Sequence, residues 1–265
     1  MEWYLAYLAL GTVAGFLGGM FGVGGGTVLV PVLLLLFEAQ HFPAEHTLHL
    51  ALGSSMAVIL FTSIASTRKH HHHGAVDWRV VFSISPGILL GTAIGALVAA
   101  SVSPFYLTIF FALFICFAAS QILLDAKPHA SRQLPAIAGM TLMGTATGSI
   151  SALVSIGGGT LTVPFLIWCN VPLRRAIGTA SAIGFPIAVG GTIGYILTGS
   201  HATNLPSPNL GYVYLPALFS CALASVFTAP IGAKMAHSVN VAVLRKLFAV
   251  LLIGLAAKLL WKVLG

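Results

Sequence analysis

The chain has 265 residues, of which 58% are hydrophobic and only 6% carry a charged side chain, where a soluble domain carries about a quarter. That composition excludes a soluble globular fold and predicts an all-α, polytopic integral membrane protein. The formal charge of +7 is not a nucleic-acid signal. The basic residues sit in short connections between apolar runs, the pattern of topology determinants and lipid-headgroup contacts.

In chain order, MEWYLAYLALG has an acid and no Lys or Arg ahead of its apolar run, unlike a cleaved signal peptide, and reads as the first membrane segment. It runs into GGMFGVGGGTVLVP (18–31). Glycine weakens a helix interior by about 1 kcal/mol relative to alanine, so so many glycines predict a turn. Residues 4–22 enter the membrane and 27–37 return to the same face. The returning piece rises about 16 Å, roughly half a bilayer. Uncharged windows follow at 47–67, 80–101 and 104–124, each near the ~20 residues that span hydrocarbon. His46 and His49, close to Glu45, form either a polar interfacial cap or a pH-sensitive gate. The run His70 to His73 after Arg68 and Lys69 reads as a solvated loop, with metal binding as the alternative. The polar stretch DAKPHASRQLP opens at 125 and divides a single transmembrane domain into repeat 1 (1–124), a linker (125–134) and repeat 2 (135–265).

The second half brings a window at 135–156, the stretch SALVSIGGGTLTVP (151–164) and a short returning piece at 160–169. Arg174 and Arg175 precede windows at 175–199, 212–233 and 241–257. Cys116, Cys169 and Cys221 lie singly in apolar segments, with neither disulfide nor zinc spacing. No metal or cofactor set is legible.

The two halves resemble one another. GGGTVLVP matches GGGTLTVP at a separation of 133 residues, and ALGSSMAV (51–58) matches AIGTASAI (176–183). If the glycine stretches turn the chain back, Arg68, Lys69, Arg79, Lys127, Arg132, Arg174, Arg175, Lys234, Arg245 and Lys246 all fall on one side of the membrane. The positive-inside tendency makes that side cytoplasmic. Each repeat is then one Gly-rich re-entrant hairpin plus three transmembrane helices. Three crossings per repeat make the repeats inverted, with both termini outside the cell's inner membrane.

Inverted hairpins enter from opposite faces, so their tips approach one another near the midplane. Gly24, Gly25, Gly26 and Thr27 open one half-helix; Gly157, Gly158, Gly159 and Thr160 open the other. Helix N-termini carry unpaired N–H groups and the positive end of the dipole, which makes an anion site without a charged side chain. Ser54, Ser55, Thr179 and Ser181 supply hydroxyls at matching depths, and Arg174 and Arg175 form a cytoplasmic entrance that concentrates anions. The spacings Gly15/Gly19, Gly91/Gly95, Gly144/Gly148 and Gly190/Gly194 read as helix-packing surfaces. No Asp, Glu, Lys or Arg falls near the middle of a span, so proton coupling has no evident carrier. A cytoplasm-negative potential drives anions outward, by about 2.3 kcal/mol per charge at 100 mV.

GFLGGMFGVGGGTVLVPVLLLLF (15–37), its repeat, and AIGTASA after VPLRRA resemble the sulfite exporter TauE/SafE family of membrane transporters over nearly the whole chain. The resemblance implies export of sulfite, sulfoacetate or another organosulfur anion; the residues themselves give only a small anion. Ser151 and Ser155 stand where the first half has Gly18 and Gly22, so the hairpins are not equivalent. The expected mechanism is alternating access, one half rocking against the other around a midplane anion. The expected partners are that anion and the lipid bilayer, with self-association left open. An anion channel using the same site is the alternative, and a membrane-embedded sensory or structural subunit a more distant one. An enzyme would need a nucleophile–base cluster or metal set, which the spans lack.

Overall fold

The computed structural model describes residues 2–124, 131–238 and 242–264; most of the predicted linker, 125–130, lies outside the described residues. The helices are α1 (Glu2–Phe21), α2 (Gly26–Ala39), α3 (Ala44–His72), α4 (Trp78–Ser101) and α5 (Pro104–Leu123). The second half has α6 (Ile137–Val154), α7 (Gly159–Trp168), α8 (Leu173–Gly199), α9 (Leu215–Ser238) and α10 (Ala242–Leu264). A two-residue ribbon, β1 (Asn209–Leu210) and β2 (Val213–Tyr214), precedes α9, so the 212–233 window is helical only from Leu215. Among the described residues, seven helices, α1, α3, α4, α5, α6, α8 and α9, are long and apolar enough to cross a membrane. The protein is an all-α polytopic membrane protein. Large apolar side chains face outward on α4, α5, α6 and α9, among them Phe82, Leu113, Leu142 and Phe227, as a lipid-facing surface requires.

The two short helices end by the same device. After α2, His41 takes a left-handed φ of 58°; its N–H donates to the Glu38 carbonyl and that of Phe42 to the Phe37 carbonyl. After α7, Asn170 takes φ 64°, with Asn170 and Val171 donating to Ile167 and Leu166. These are Schellman closures, which satisfy the last carbonyls. Pro43 and Pro172 follow directly and stand as the N-caps of the long helices α3 and α8, where a missing N–H costs nothing.

The end of α2 lies beside the start of α1: Gln40 Nε2 donates to Tyr7 Oη at 2.6 Å, and the Tyr7 and Phe37 rings meet edge-on. In the second half, the Ser131 and Arg132 amides donate to the Trp168 carbonyl, so the end of α7 lies beside the approach to α6. The Arg132 guanidinium sits 4.9 Å above the Trp168 ring, and Trp168 Nε1 donates to Ser131 Oγ.

Packing exchanges helices between the halves. α1 packs on α9 and α6 on α4; α3 meets α9 and α8 meets α4; α3 and α8 meet each other, as do α5 and α10. Small residues let the backbones touch. A Cβ on Gly19 would stand 2.1 Å from the Ala229 carbonyl oxygen, and one on Gly91 2.1 Å from that of Thr145. Gly15 and Gly95 face Ser225 and Ser149, Gly144 and Gly148 face Ile84 and Ile88, and Gly190 and Gly194 face Thr92 and Ala96. The small-residue spacings are thus packing surfaces, which in lipid associate through van der Waals contact.

The histidine run differs from expectation. α3 continues through His72 because nothing in TRKHHH breaks a helix before Gly74. His70 is fully buried, its Nε2 3.1 Å from the Gly19 carbonyl oxygen, instead of lying in a solvated loop. At the other end of α3, His49 is buried against Tyr212 with Nε2 2.9 Å from the Ala99 carbonyl oxygen.

Candidate functional site

Two turns of unlike chemistry meet at the centre. Between α1 and α2, Gly22, Gly24 and Gly25 take φ of 71°, 72° and 82°, left-handed values that cost most other residues 1–2 kcal/mol, by order of magnitude. The Gly25 carbonyl then accepts from Val28 and Leu29 to start α2. Between α6 and α7, Ser155 takes the left-handed position at φ 48°, with its hydroxyl donating to the Leu52 carbonyl at 3.0 Å. Gly157, Gly158 and Gly159 serve close approach instead. A Cβ on Gly157 would stand 2.6 Å from the Val23 carbonyl oxygen, and one on Gly159 2.6 Å from that of Gly22. The turns are joined directly, the Gly157 N–H donating to the Val23 carbonyl at 3.0 Å.

Beside this joint is a narrow crevice of about 190 Å³, too tight for a water-sized sphere. Gly18, Gly22 and Gly24 line it from the first turn, Thr62, Ser63 and Ser66 from α3, and Ser181 and Gly184 from α8. Ser66 Oγ stands 3.4 Å from Ser181 Oγ across the α3–α8 seam, and Thr62 Oγ1 2.9 Å from Ser225 Oγ. The Gly158 amide nitrogen is 4.0 Å from where a Gly184 Cβ would stand. None of the lining residues carries charge. What the crevice offers is hydroxyl groups, which both donate and accept, and the backbone of the first turn. The first amides of α2 and α7 have no intrahelical acceptor.

The sequence-derived residues divide. Gly24 and Ser181 line the crevice. Gly25, Gly26, Gly157, Gly158 and Gly159 are buried in the turns around it, as is Thr27, whose hydroxyl has no hydrogen-bond partner among the described residues. Thr160 follows in the first turn of α7, half-buried. Ser54 and Thr179 are engaged elsewhere: Ser54 Oγ accepts from the Tyr214 N–H at 2.9 Å, and Thr179 Oγ1 from the Asp77 N–H at 2.9 Å. Each fixes the chain just before the helix that follows. Ser55 is buried without a partner among the described residues, outside the crevice lining. Arg174 and Arg175 are exposed in the first turn of α8.

Thr62, Ser63 and Ser66 were not among the sequence-derived residues. Their signal is a hydroxyl stripe, FTSIAST (61–67), at helical spacing within an apolar span.

Residues 7–259 match the family model described as Sulfite exporter TauE/SafE. The chain belongs to this family. Being of a transporter family, the TauE/SafE chain is not an enzyme. It is 32% identical over 260 residues to a probable membrane transporter protein of Haemophilus influenzae, covering 97% of this chain and 98% of that protein. It is 27% identical over 240 residues to one of Methanocaldococcus jannaschii (88% and 86% covered), and 25% identical over 260 residues to the Bacillus subtilis protein YunE (89% and 88%), also a probable membrane transporter. No solved structure matches the chain.

Proposed function

We propose that the chain exports a small organosulfur anion, such as sulfite or a sulfonate, across the inner membrane by alternating access. The observation that carries this reading is the charge-free, hydroxyl-lined crevice where the two glycine turns meet. Helix N-termini and hydroxyls attract an anion by partial charges, strongly enough to select it and weakly enough to release it. The backbone of Gly24, Gly25, Gly26 and Thr27 and of Gly157, Gly158, Gly159 and Thr160, together with Ser181, forms the site.

In this reading α1–α2 and α6–α7 are re-entrant hairpins of inverted repeats. The return of α2 to the start of α1 and of α7 to the approach to α6, and the matched contacts of corresponding helices, support it. The basic loops lie in the cytoplasm and both termini outside. Access alternates along the α3–α8 seam, not between the sequence halves. Rocking one half against the other would tear the backbone contacts of α1 with α9 and of α4 with α6, whereas the seam holds the crevice and is crossed by the 3.4 Å Ser66–Ser181 pair.

Proteoliposomes holding the purified chain test the reading, with flux of sulfite, ethanesulfonate and sulfate measured at imposed potentials. Saturable flux of sulfite or a sulfonate that follows the potential is expected. Turnover far above about 10³ per second with single-channel steps would establish a channel instead, and no flux of any of these anions would reject the assignment.

A further inference from the structure

Among the described residues, the lining of the crevice has no counterpart across the repeat. Gly53 and Gly178 occupy equivalent places, a Cβ on each standing 2.4 Å from the carbonyl oxygen of Tyr212 and Ala75 respectively. Ser54 and Thr179 then accept equivalent amides. Positions on α3 and α8 therefore correspond at a separation of 125, and positions in the hairpins at 133. Thr62, Ser63 and Ser66 map onto Ile187, Ala188 and Gly191, while Ser181 and Gly184 map back onto Met56 and Ile59.

The equivalent place is filled and dry. The Met56 sulfur stands 2.9 Å from where a Gly191 Cβ would be, and Ile59 side-chain carbons 2.8 and 2.9 Å from those of Gly24 and Gly26. Met56, Ile59 and Ile187 are all fully buried. Beyond these positions the halves are alike again. Thr67 and Thr192 both bury hydroxyls without a partner among the described residues. His70 Nε2 and Tyr195 Oη lie 3.1 and 2.8 Å from the carbonyl oxygens of Gly19 and Ala152, which also correspond. A shared scaffold thus carries hydroxyls on one side of the joined turns and hydrocarbon on the other.

Resting on the anion-export reading, we propose that Thr62, Ser63, Ser66 and Ser181 are the specificity-determining residues of one off-axis subsite for a small oxyanion, and that Met56, Ile59 and Ile187 form the dry barrier opposite it. In the closed crevice the hydroxyls satisfy themselves locally. Ser63 donates to the Leu60 carbonyl at 3.0 Å, and Thr62 is 3.1 Å from the Val58 carbonyl. When the α3–α8 seam parts, each hydroxyl rotates and donates to the oxyanion in place of a backbone carbonyl, and rotates back on release. The subsite therefore needs neither a charged side chain nor a resident water. It lies on the His70 side of the turns, toward the end of α3 that carries Arg68 and Lys69 and is followed by Arg79 at the start of α4, so it is loaded from the cytoplasm.

Two measurements test this. In the flux assay, Ser66→Ala and Ser181→Ala are each expected to raise the half-saturating sulfite concentration on the order of tenfold, the loss of one hydrogen bond to a charged group. Thr192→Val, in the other half, is expected to leave half-saturation unchanged. In a background carrying Cys116→Ala, Cys169→Ala and Cys221→Ala, a permeant maleimide should label Ser66→Cys, and saturating ethanesulfonate should slow that labelling several-fold. Met56→Cys should show no protection. Unchanged half-saturation in Ser66→Ala and Ser181→Ala, or equal labelling of Ser66→Cys with and without ethanesulfonate, overturns the subsite while leaving anion export standing. A wild-type chain that moves none of the three anions overturns the export reading and the subsite together.

Discussion

Ser54 and Ser66 show how differently two serines on one helix can be used. Ser54 lies in the segment that repeats, and the reason it repeats is structural. It and Thr179 each accept a part-buried backbone amide at the entry to α9 or α4, amides that would otherwise lose this acceptor. Removing such an acceptor costs about 1–3 kcal/mol. Ser54→Ala and Thr179→Val are therefore expected to lower the thermal midpoint of the purified protein, read by fluorescence-detected size exclusion, while half-saturation of the surviving transport stays at the wild-type value. A rise of that value without loss of stability would instead place these hydroxyls on the substrate. Internal repetition pointed the sequence reading to Ser54 and Thr179 and away from Ser63 and Ser66, because a repeat marks what both halves need. The amide contacts of Ser54 and Thr179 match each other, and among the described residues the hydroxyls of the crevice have no such match. Of the hydroxyl residues, Ser181 alone was found in both ways.

At the scale of the turns, similar GGGT strings solve different problems. Gly25 combines a φ of 82° with a Cβ position 2.5 Å from the Ala14 carbonyl oxygen, whereas a Cβ on Gly158, at φ −54°, would meet the Ala180 carbonyl oxygen at 2.9 Å. Gly25→Ala suffers both backbone strain and a backbone clash, each on the order of 1–3 kcal/mol; Gly158→Ala suffers only the clash. Thermal midpoints should fall in that order, with transport lost in Gly25→Ala. Equal midpoints would mean that the left-handed turn is not what holds α2 in place. The position of both turns was legible in the sequence, since no packing surface needs three adjacent glycines. Their division of labour was not, because a glycine string looks the same whether it supplies left-handed φ or room for a facing carbonyl. The small-residue helix faces were also legible, and Gly91→Leu is expected to force α4 and α6 apart at the 2.1 Å approach to Thr145, abolishing the folded peak in size exclusion.

For the molecule as a whole, the exchange of α9 and α4 between the halves decides what can fold alone and what can move. Residues 1–124 by themselves would leave the small-residue faces of α1 and α4 without α9 and α6, and 131–265 would leave the reverse. Each half expressed alone is expected to be degraded, and the two co-expressed as separate chains to reassemble into a stable complex. A stable isolated half would show that the exchanged contacts are not what holds the fold. The sequence told where the apolar spans and the basic residues between them lie, since composition and charge are written locally. It did not tell which helices pair, because contacts between residues 19 and 229 or 91 and 145 depend on how the halves interlock. On the proposed reading the moving surface is the α3–α8 seam, where Ser66 and Ser181 face each other with their oxygens 3.4 Å apart. Ser66→Cys combined with Ser181→Cys, in the cysteine-free background, can form a disulfide there with little displacement. Its oxidation is expected to stop proteoliposome flux, and a thiol reductant to restore the rate of the reduced double variant. Flux that continues with the bond fully formed would mean that the seam stays shut during transport, and that the anion crosses by a movement of the hairpins alone.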